Sequence, residues 1–393
     1  MRFCHSPKTT LRIAVAILSR AIPDGDFSVR RGRVRPLRRE MWAHWTDENS
    51  ALCSLDHSVY RYTYETGQFE KLFSIPPRTN TFSGRIKDRL ARSWVRQYLL
   101  PGSGIGNLTR TNDGNVVVIF DRIYWYSERK PDRLATVVSC DAGPEFATPL
   151  RGGATAHGIS NKVYFGEYLN GHQCDIRVFC IDVSIPSMRE CWRFSRQEIK
   201  HIHAIHYDRF RSRLWICTGD LDHESNIYYT DDEFSSIKKF GGGDQSWRAI
   251  AMVFDEHGME WGMDAGKDAP ADAVNYIYRY DFRTGIRSSR VLVGNPVYSA
   301  CEFADGTAVM QNTFEPGRPQ KTPETAALWM RDQKGAWANI LELRYGVTKP
   351  RQGVGAYGYI CLPQGISPSN RLLFTPVNCG NNSHVLYEWA GDR

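Results

Sequence analysis

The ten cysteines of this 393-residue chain include no Cys-x-x-Cys pair, so zinc-ribbon spacing is absent, and a disulfide framework belongs to shorter secreted chains. Long apolar runs are missing too. The longest uninterrupted aliphatic stretch covers residues 13–18, whereas a bilayer-spanning helix needs roughly 18 residues. That stretch is shorter than a secretory core and is followed by Arg20. A cytoplasmic protein is therefore expected, periplasmic or secreted only if translation starts elsewhere. Lysine is scarce, 12 of the 50 basic residues, and the arginine that replaces it suits carboxylate or phosphate recognition. Net charge is absent from most of the chain. Residues 1–40 hold ten basic and three acidic side chains, which accounts for the formal +7, and the remaining 353 residues carry forty of each sign. Basic charge is not spread over a working face, which excludes generic nucleic-acid binding by the body of the protein.

What is present is a repeat. Val59-Tyr60-Arg61-Tyr62 precedes Glu65-Thr66-Gly67-Gln68, and Ile277-Tyr278-Arg279-Tyr280 precedes Arg283-Thr284-Gly285-Ile286. Related strands are Ile123-Tyr124-Trp125-Tyr126, Ile176-Arg177-Val178-Phe179, Asn226-Ile227-Tyr228-Tyr229, Ala327-Leu328-Trp329-Met330 and Val385-Leu386-Tyr387. Short β-branched and aromatic runs between Gly, Asn and Asp turns are strand chemistry. Units of four such strands recurring about every 45–60 residues predict an all-β propeller of about seven four-stranded blades. Residues 1–40 read as a basic N-terminal segment and residues 41–393 as one propeller domain. Because an open ring leaves strand edges unpaired, residues 11–18 are expected to add the outer strand of the last blade. Ile86, Leu90 and Trp94 recur at helical spacing, so residues 85–100 are expected to form a short inserted helix.

In a propeller the start of each first strand and the end of each second strand lie on one face. Reading those positions gives Arg151, His157, Glu167 and Tyr168, then His201, His203, Asp220 and Glu224. The next units give Gln245, Trp247, Arg248 and Asp264, followed by Tyr298 and Asn312. Carboxylates can serve as acid, base or nucleophile in glycosyl transfer, aromatic rings stack on sugars, and Arg binds a sugar carboxylate. The catalytic candidates are therefore Asp220 or Glu224 paired with Glu167 or Asp264, with His201 and His203 beside them. Arg151, His157, Tyr168, Gln245, Trp247, Arg248, Tyr298 and Asn312 are the substrate-binding candidates. Alternation puts the imidazoles of His201 and His203 on one side of a strand, with His206 on the other. They either brace the channel or act on substrate, and neither a metal nor a cofactor is expected.

Two segments resemble the Asp-box of sialidase-type propellers. Thr230-Asp231-Asp232 with Ser235 keeps its Thr, Asp and hydroxyl, and Asp332-Gln333-Lys334-Gly335-Ala336-Trp337 keeps its Asp, Gly and Trp. Val163-Tyr164-Phe165-Gly166-Glu167-Tyr168, Lys200-His201-Ile202-His203, Cys217-Thr218-Gly219-Asp220 and Ser246-Trp247-Arg248-Ala249 resemble a group of sialidase-like propellers from polysaccharide gene neighbourhoods. The resemblance implies a glycan-acting hydrolase whose partner is an acidic poly- or oligosaccharide. The Arg-Ile-Pro segment of true sialidases is absent. A uronate polysaccharide lyase and a non-catalytic glycan-binding or assembly propeller are the competing classes.

Overall fold

The computed structural model describes residues 27–76, 105–129, 135–140, 145–171, 174–347 and 353–392. They form an all-β propeller in which antiparallel sheets follow one another in chain order. The expected helix at residues 85–100 and the expected strand at residues 11–18 lie outside the described residues.

Five blades stand as separate sheets of four or five strands. Two of them carry the site described below. One comprises His201–Asp208, Arg213–Gly219, Asn226–Thr230 and Lys238–Gly242, and the next comprises Ala249–Phe254, Gly258–Met263, Asn275–Asp281 and Ile286–Gly294. The expected count of about seven separate blades is not supported. The short strand Gln364–Ser367 pairs in parallel with both Val297–Phe303 and Met41–Thr46, and this joins the remaining strands into one ten-stranded sheet.

The outer strand of the last sheet comes from the N-terminal side, but it is Arg33–Arg39, paired antiparallel with Val385–Ala390. Charge anchors it: Arg35 and Arg371 both bind the buried carboxylate of Glu388. A second N-terminal strand, Phe27–Val29, adds to the edge of Trp337–Arg344.

The apolar cores lie between neighbouring sheets. Tyr164, Ile176 and Val178 of one sheet pack against Ile202, Ile205 and Ile216 of the next, and Trp215 and Cys217 pack against Met252, Met259 and Trp261. Each buried aliphatic or aromatic side chain contributes about 1.5–3 kcal/mol. The sheets approach so closely that a Cβ on Gly166 would lie 2.4 Å from the Ile202 side chain. No helix among the described residues is long and apolar enough to cross a membrane.

Candidate functional site

The first strands line a channel that holds a cavity of about 980 Å³. At one end, loops from adjacent sheets bring together the side chains that the register placed at strand ends. Asp220 directly follows Arg213–Gly219, and Gly219 pairs with His201 at the start of the neighbouring strand. A Cβ on Gly219 would lie 2.5 Å from the His203 ring, so glycine is what allows that imidazole to rest against the strand end. Arg248 leads into Ala249–Phe254 and accepts a backbone hydrogen bond from Asp264, which follows Gly258–Met263.

Asp220 is the hub. Its Oδ1 lies 3.2 Å from His201 Nε2 and 3.3 Å from His203 Nε2, and those two nitrogens are 3.1 Å apart. Arg248 reaches Oδ1 at 3.0 Å and Lys200 reaches Oδ2 at 2.6 Å. Arg248 also contacts Asp268 at 3.0 Å and Asp264 at 3.4 Å. Tyr168 stacks on His201 with ring centroids 4.1 Å apart. On the neighbouring sheet, the Tyr298 hydroxyl donates to Glu315, whose other oxygen accepts from the Lys267 backbone.

The electrostatics divide the carboxyls. Burial alone would raise the proton affinity of Asp220, but hydrogen bonds from His201 and His203 and the Arg248 charge hold it well below the usual carboxylate range. Burial pushes Asp264 well above that range, Arg248 notwithstanding, and the nearby Glu315, Asp220 and Asp268 push the same way. Glu315 is likewise raised by burial, against its hydrogen bonds from Tyr298 and Lys267. Asp264 Oδ1 is buried without a hydrogen-bond partner among the described residues. Burial raises Tyr168 to about 12 and lowers His203 despite the Asp220 carboxylate.

His201, His203, Asp220, Arg248, Asp264, Tyr168 and Tyr298 thus come together at one mouth. Several other candidates do not join them. Glu167 is gripped by the Arg177 guanidinium at 2.7 and 2.9 Å and lines a different cavity. Glu224 caps its own loop, accepting the Asp220 and Leu221 N–H groups. His157 accepts the N–H groups of Ile159 and Ser160 and caps a turn. Trp247 is held between Trp261 and the Arg287 guanidinium, away from the cavity lining. Asn312 braces two strands through Val293 and Ala327. Gln245 supports the mouth from behind, donating to the Asp220 carbonyl and to Asp222. Arg151 lines the cavity with its guanidinium over Trp42. His206, expected to point away, also lines the cavity, because a bulge between Ile202 and Ala204 shifts the alternation. It is bound to the Ile250 carbonyl at 2.7 Å and stays outside the cluster.

Lys200, Lys267, Asp268 and Glu315 were not on the sequence-derived list. Glu315 follows the second strand Ala308–Asn312 by three residues, so reading the strand-end rule slightly further into each loop would have found it. Among the described residues, His201, His203 and Asp220 offer three ligand atoms within 4.8 Å of one another, all from buried residues, and are the group that could hold a metal ion.

No protein-family profile matches the chain, and no curated protein is significantly similar to it. Solved structures share its fold, which places it among the β-propellers. An oligogalacturonate lyase from Vibrio parahaemolyticus is 12% identical with a TM-score of 0.54, over 93% of this chain and 96% of that one. A GH74 enzyme from Niastella koreensis is 12% identical with a TM-score of 0.53, over 89% of this chain and 53% of that one. A catalytically inactive virginiamycin B lyase from Staphylococcus aureus, bound to quinupristin, is 12% identical with a TM-score of 0.52, over 93% and 99%. Identities this low speak for the fold alone, and the sialidase-type resemblance gains no family match.

Proposed function

We propose that the channel mouth cleaves an acidic poly- or oligosaccharide by hydrolysis, with Asp264 as proton donor and Asp220 as the permanently ionised group opposite it. The observation that carries this reading is that one guanidinium, Arg248, touches two carboxyls whose environments push their proton affinities in opposite directions. A carboxyl kept protonated beside one kept ionised is the division of labour that acid–base cleavage needs. Of the carboxylate pairings expected from the sequence, Asp220 with Asp264 survives, because Glu167 and Glu224 are committed elsewhere. Lys200 and Lys267 line the same cavity and supply positive charge for an acidic substituent. Among proteins of this fold, a GH74 enzyme and an oligogalacturonate lyase carry carbohydrate names, which supports the substrate class.

One observation favours a second reading, β-elimination at a uronate. The buried Tyr298 donates to Glu315, a carboxyl of raised proton affinity, and this pair could transfer protons without a carboxylate nucleophile. Incubation with a panel of acidic polysaccharides tests both. New reducing ends without near-ultraviolet absorbance are the expected result, and unsaturated, absorbing products assign the second reading. A protein that releases neither is not an enzyme of this class, and the Asp264→Asn variant should lose turnover while remaining folded.

A further inference from the structure

We infer that His201, His203 and Asp220 form a binding site for one divalent first-row transition-metal ion, reachable from the channel. His201 Nδ1 lies 3.1 Å from the Leu169 carbonyl oxygen, and His203 Nδ1 lies 3.0 Å from the Ala249 carbonyl oxygen. A carbonyl only accepts, so each Nδ1 donates to it and each ring turns its Nε2 towards Asp220 as the atom able to ligate a metal. Both Nε2 atoms point at each other and at Asp220 Oδ1, with separations of 3.1, 3.2 and 3.3 Å. A metal ion at the centre of this triangle would take the place of the protons that otherwise bridge the Nε2 atoms and the carboxylate, with all three atoms as its ligands.

The spacing suits a metal. Ligand bonds of about 2.0–2.2 Å put neighbouring ligand atoms about 3.0–3.4 Å apart in octahedral or tetrahedral geometry. The surroundings suit one as well. Metal-bound imidazoles commonly donate the remaining N–H to a backbone carbonyl, and ligating carboxylates are themselves hydrogen-bonded. Here Lys200 and Arg248 hold Asp220, and Tyr168 is stacked on His201. The positive charge of Arg248 is offset by Asp268. Two imidazoles and one carboxylate match zinc, cobalt or manganese better than the all-oxygen sites of calcium and magnesium. Three protein ligands leave positions for water or substrate, and His203 and Asp220 line the cavity. A bound ion would act there as a Lewis acid beside Asp264.

The test reads the ion itself and so stands whether or not a saccharide is cleaved. The full chain, stripped with a chelator, is titrated with Co²⁺ and followed by visible absorption, and Zn²⁺ is then added to displace it. One equivalent should bind with nitrogen–oxygen ligand-field bands and no thiolate charge-transfer band. His201→Gln and His203→Gln should each weaken binding at least tenfold, and His206→Gln should leave it unchanged, with circular dichroism reporting folding. Absence of stoichiometric binding overturns the site, as does binding that survives both glutamine substitutions. If either variant does not fold, the parent spectrum decides: a thiolate band would place the ion on cysteine and overturn the assignment.

Discussion

Glu260 lies within the second strand of one sheet, Asp220 lies just beyond the second strand of the sheet before it, and each is a buried carboxylate facing arginine. Around Glu260 every neighbour donates. Arg331 and Trp337 reach one oxygen at 3.1 and 3.0 Å, and Arg279 reaches the other at 3.4 Å. Arg279 and Arg331 also bind Asp255, so their own charge is shared out. Around Asp220 the partners are mixed: two imidazole nitrogens that can donate or ligate stand beside Lys200 and Arg248, and Asp264 Oδ1 nearby has no hydrogen-bond partner among the described residues. The first cluster is closed chemically and ties strands of neighbouring sheets together. The second opens on a cavity with bonding capacity to spare. Burial and charge are common to both, so it is the accounting of donors against acceptors that separates scaffold from site.

The largest effect should come from breaking the closed cluster. Glu260→Ala takes from Arg279 and Arg331 the fully buried carboxylate they share, leaving them only the partly exposed Asp255, and should lower stability by about 3–5 kcal/mol, read as a shift of the denaturant midpoint. A loss below about 1 kcal/mol would mean the two clusters do not differ as described. The next effect concerns His206, a satisfied histidine beside the pair His201 and His203. Burial, against the hydrogen bond to Ile250, holds it down at about 4. The unfolded chain therefore binds a proton that the folded chain refuses between about pH 6.5 and 4. The contribution of His206 to stability is complete above that window and is lost as pH falls through it, on the order of 3 kcal/mol. His206→Gln should flatten that part of the pH–stability curve, and an unchanged slope would refute it.

At the mouth the expected stability change is smaller. Burial raises the proton affinity of Asp264, so Asp264→Asn, which mimics the neutral carboxyl, should shift unfolding free energy by less than about 1 kcal/mol, towards higher stability as pH rises, because ionising the native carboxyl in place is what costs. A loss as large as that of Glu260→Ala would make Asp264 part of the scaffold. Smallest of all is Arg287→Ala, which removes a cation from the exposed face of Trp247 and should cost about 0.5–1 kcal/mol. Saccharide binding should not change. If it weakened, Trp247 would belong to the site after all.

Much of this was legible in the chain. Aromatic-Arg-aromatic strands and their Gly turns specify a propeller because alternation and turn chemistry act over a few residues. The same local register put His201, His203, Asp220, Arg248, Asp264, Tyr168 and Tyr298 at strand ends on one face. Other features depend on which sheet packs against which. The apolar residues 11–18 looked the better closing strand, yet arginine-rich Arg33–Arg39 lies on the last sheet, since an outer edge is solvated and Glu388 supplies its anchor. Glu167 reads like Asp220 until Arg177, ten residues away on the next strand, is seen to claim it.

By itself, then, the sequence determined the all-β propeller class, the aromatic strands between their turns and the strand ends at which polar side chains gather, all consequences of backbone periodicity and turn geometry. Only the tertiary structure decided that Gln364–Ser367 joins two sets of strands, and that Trp247 is a packing residue. It also decided that two histidines and an aspartate meet with their Nε2 and Oδ1 atoms facing inwards. Those outcomes turn on distances of a few ångströms between residues far apart in the chain, and on which donors remain once each buried acceptor has found its partner.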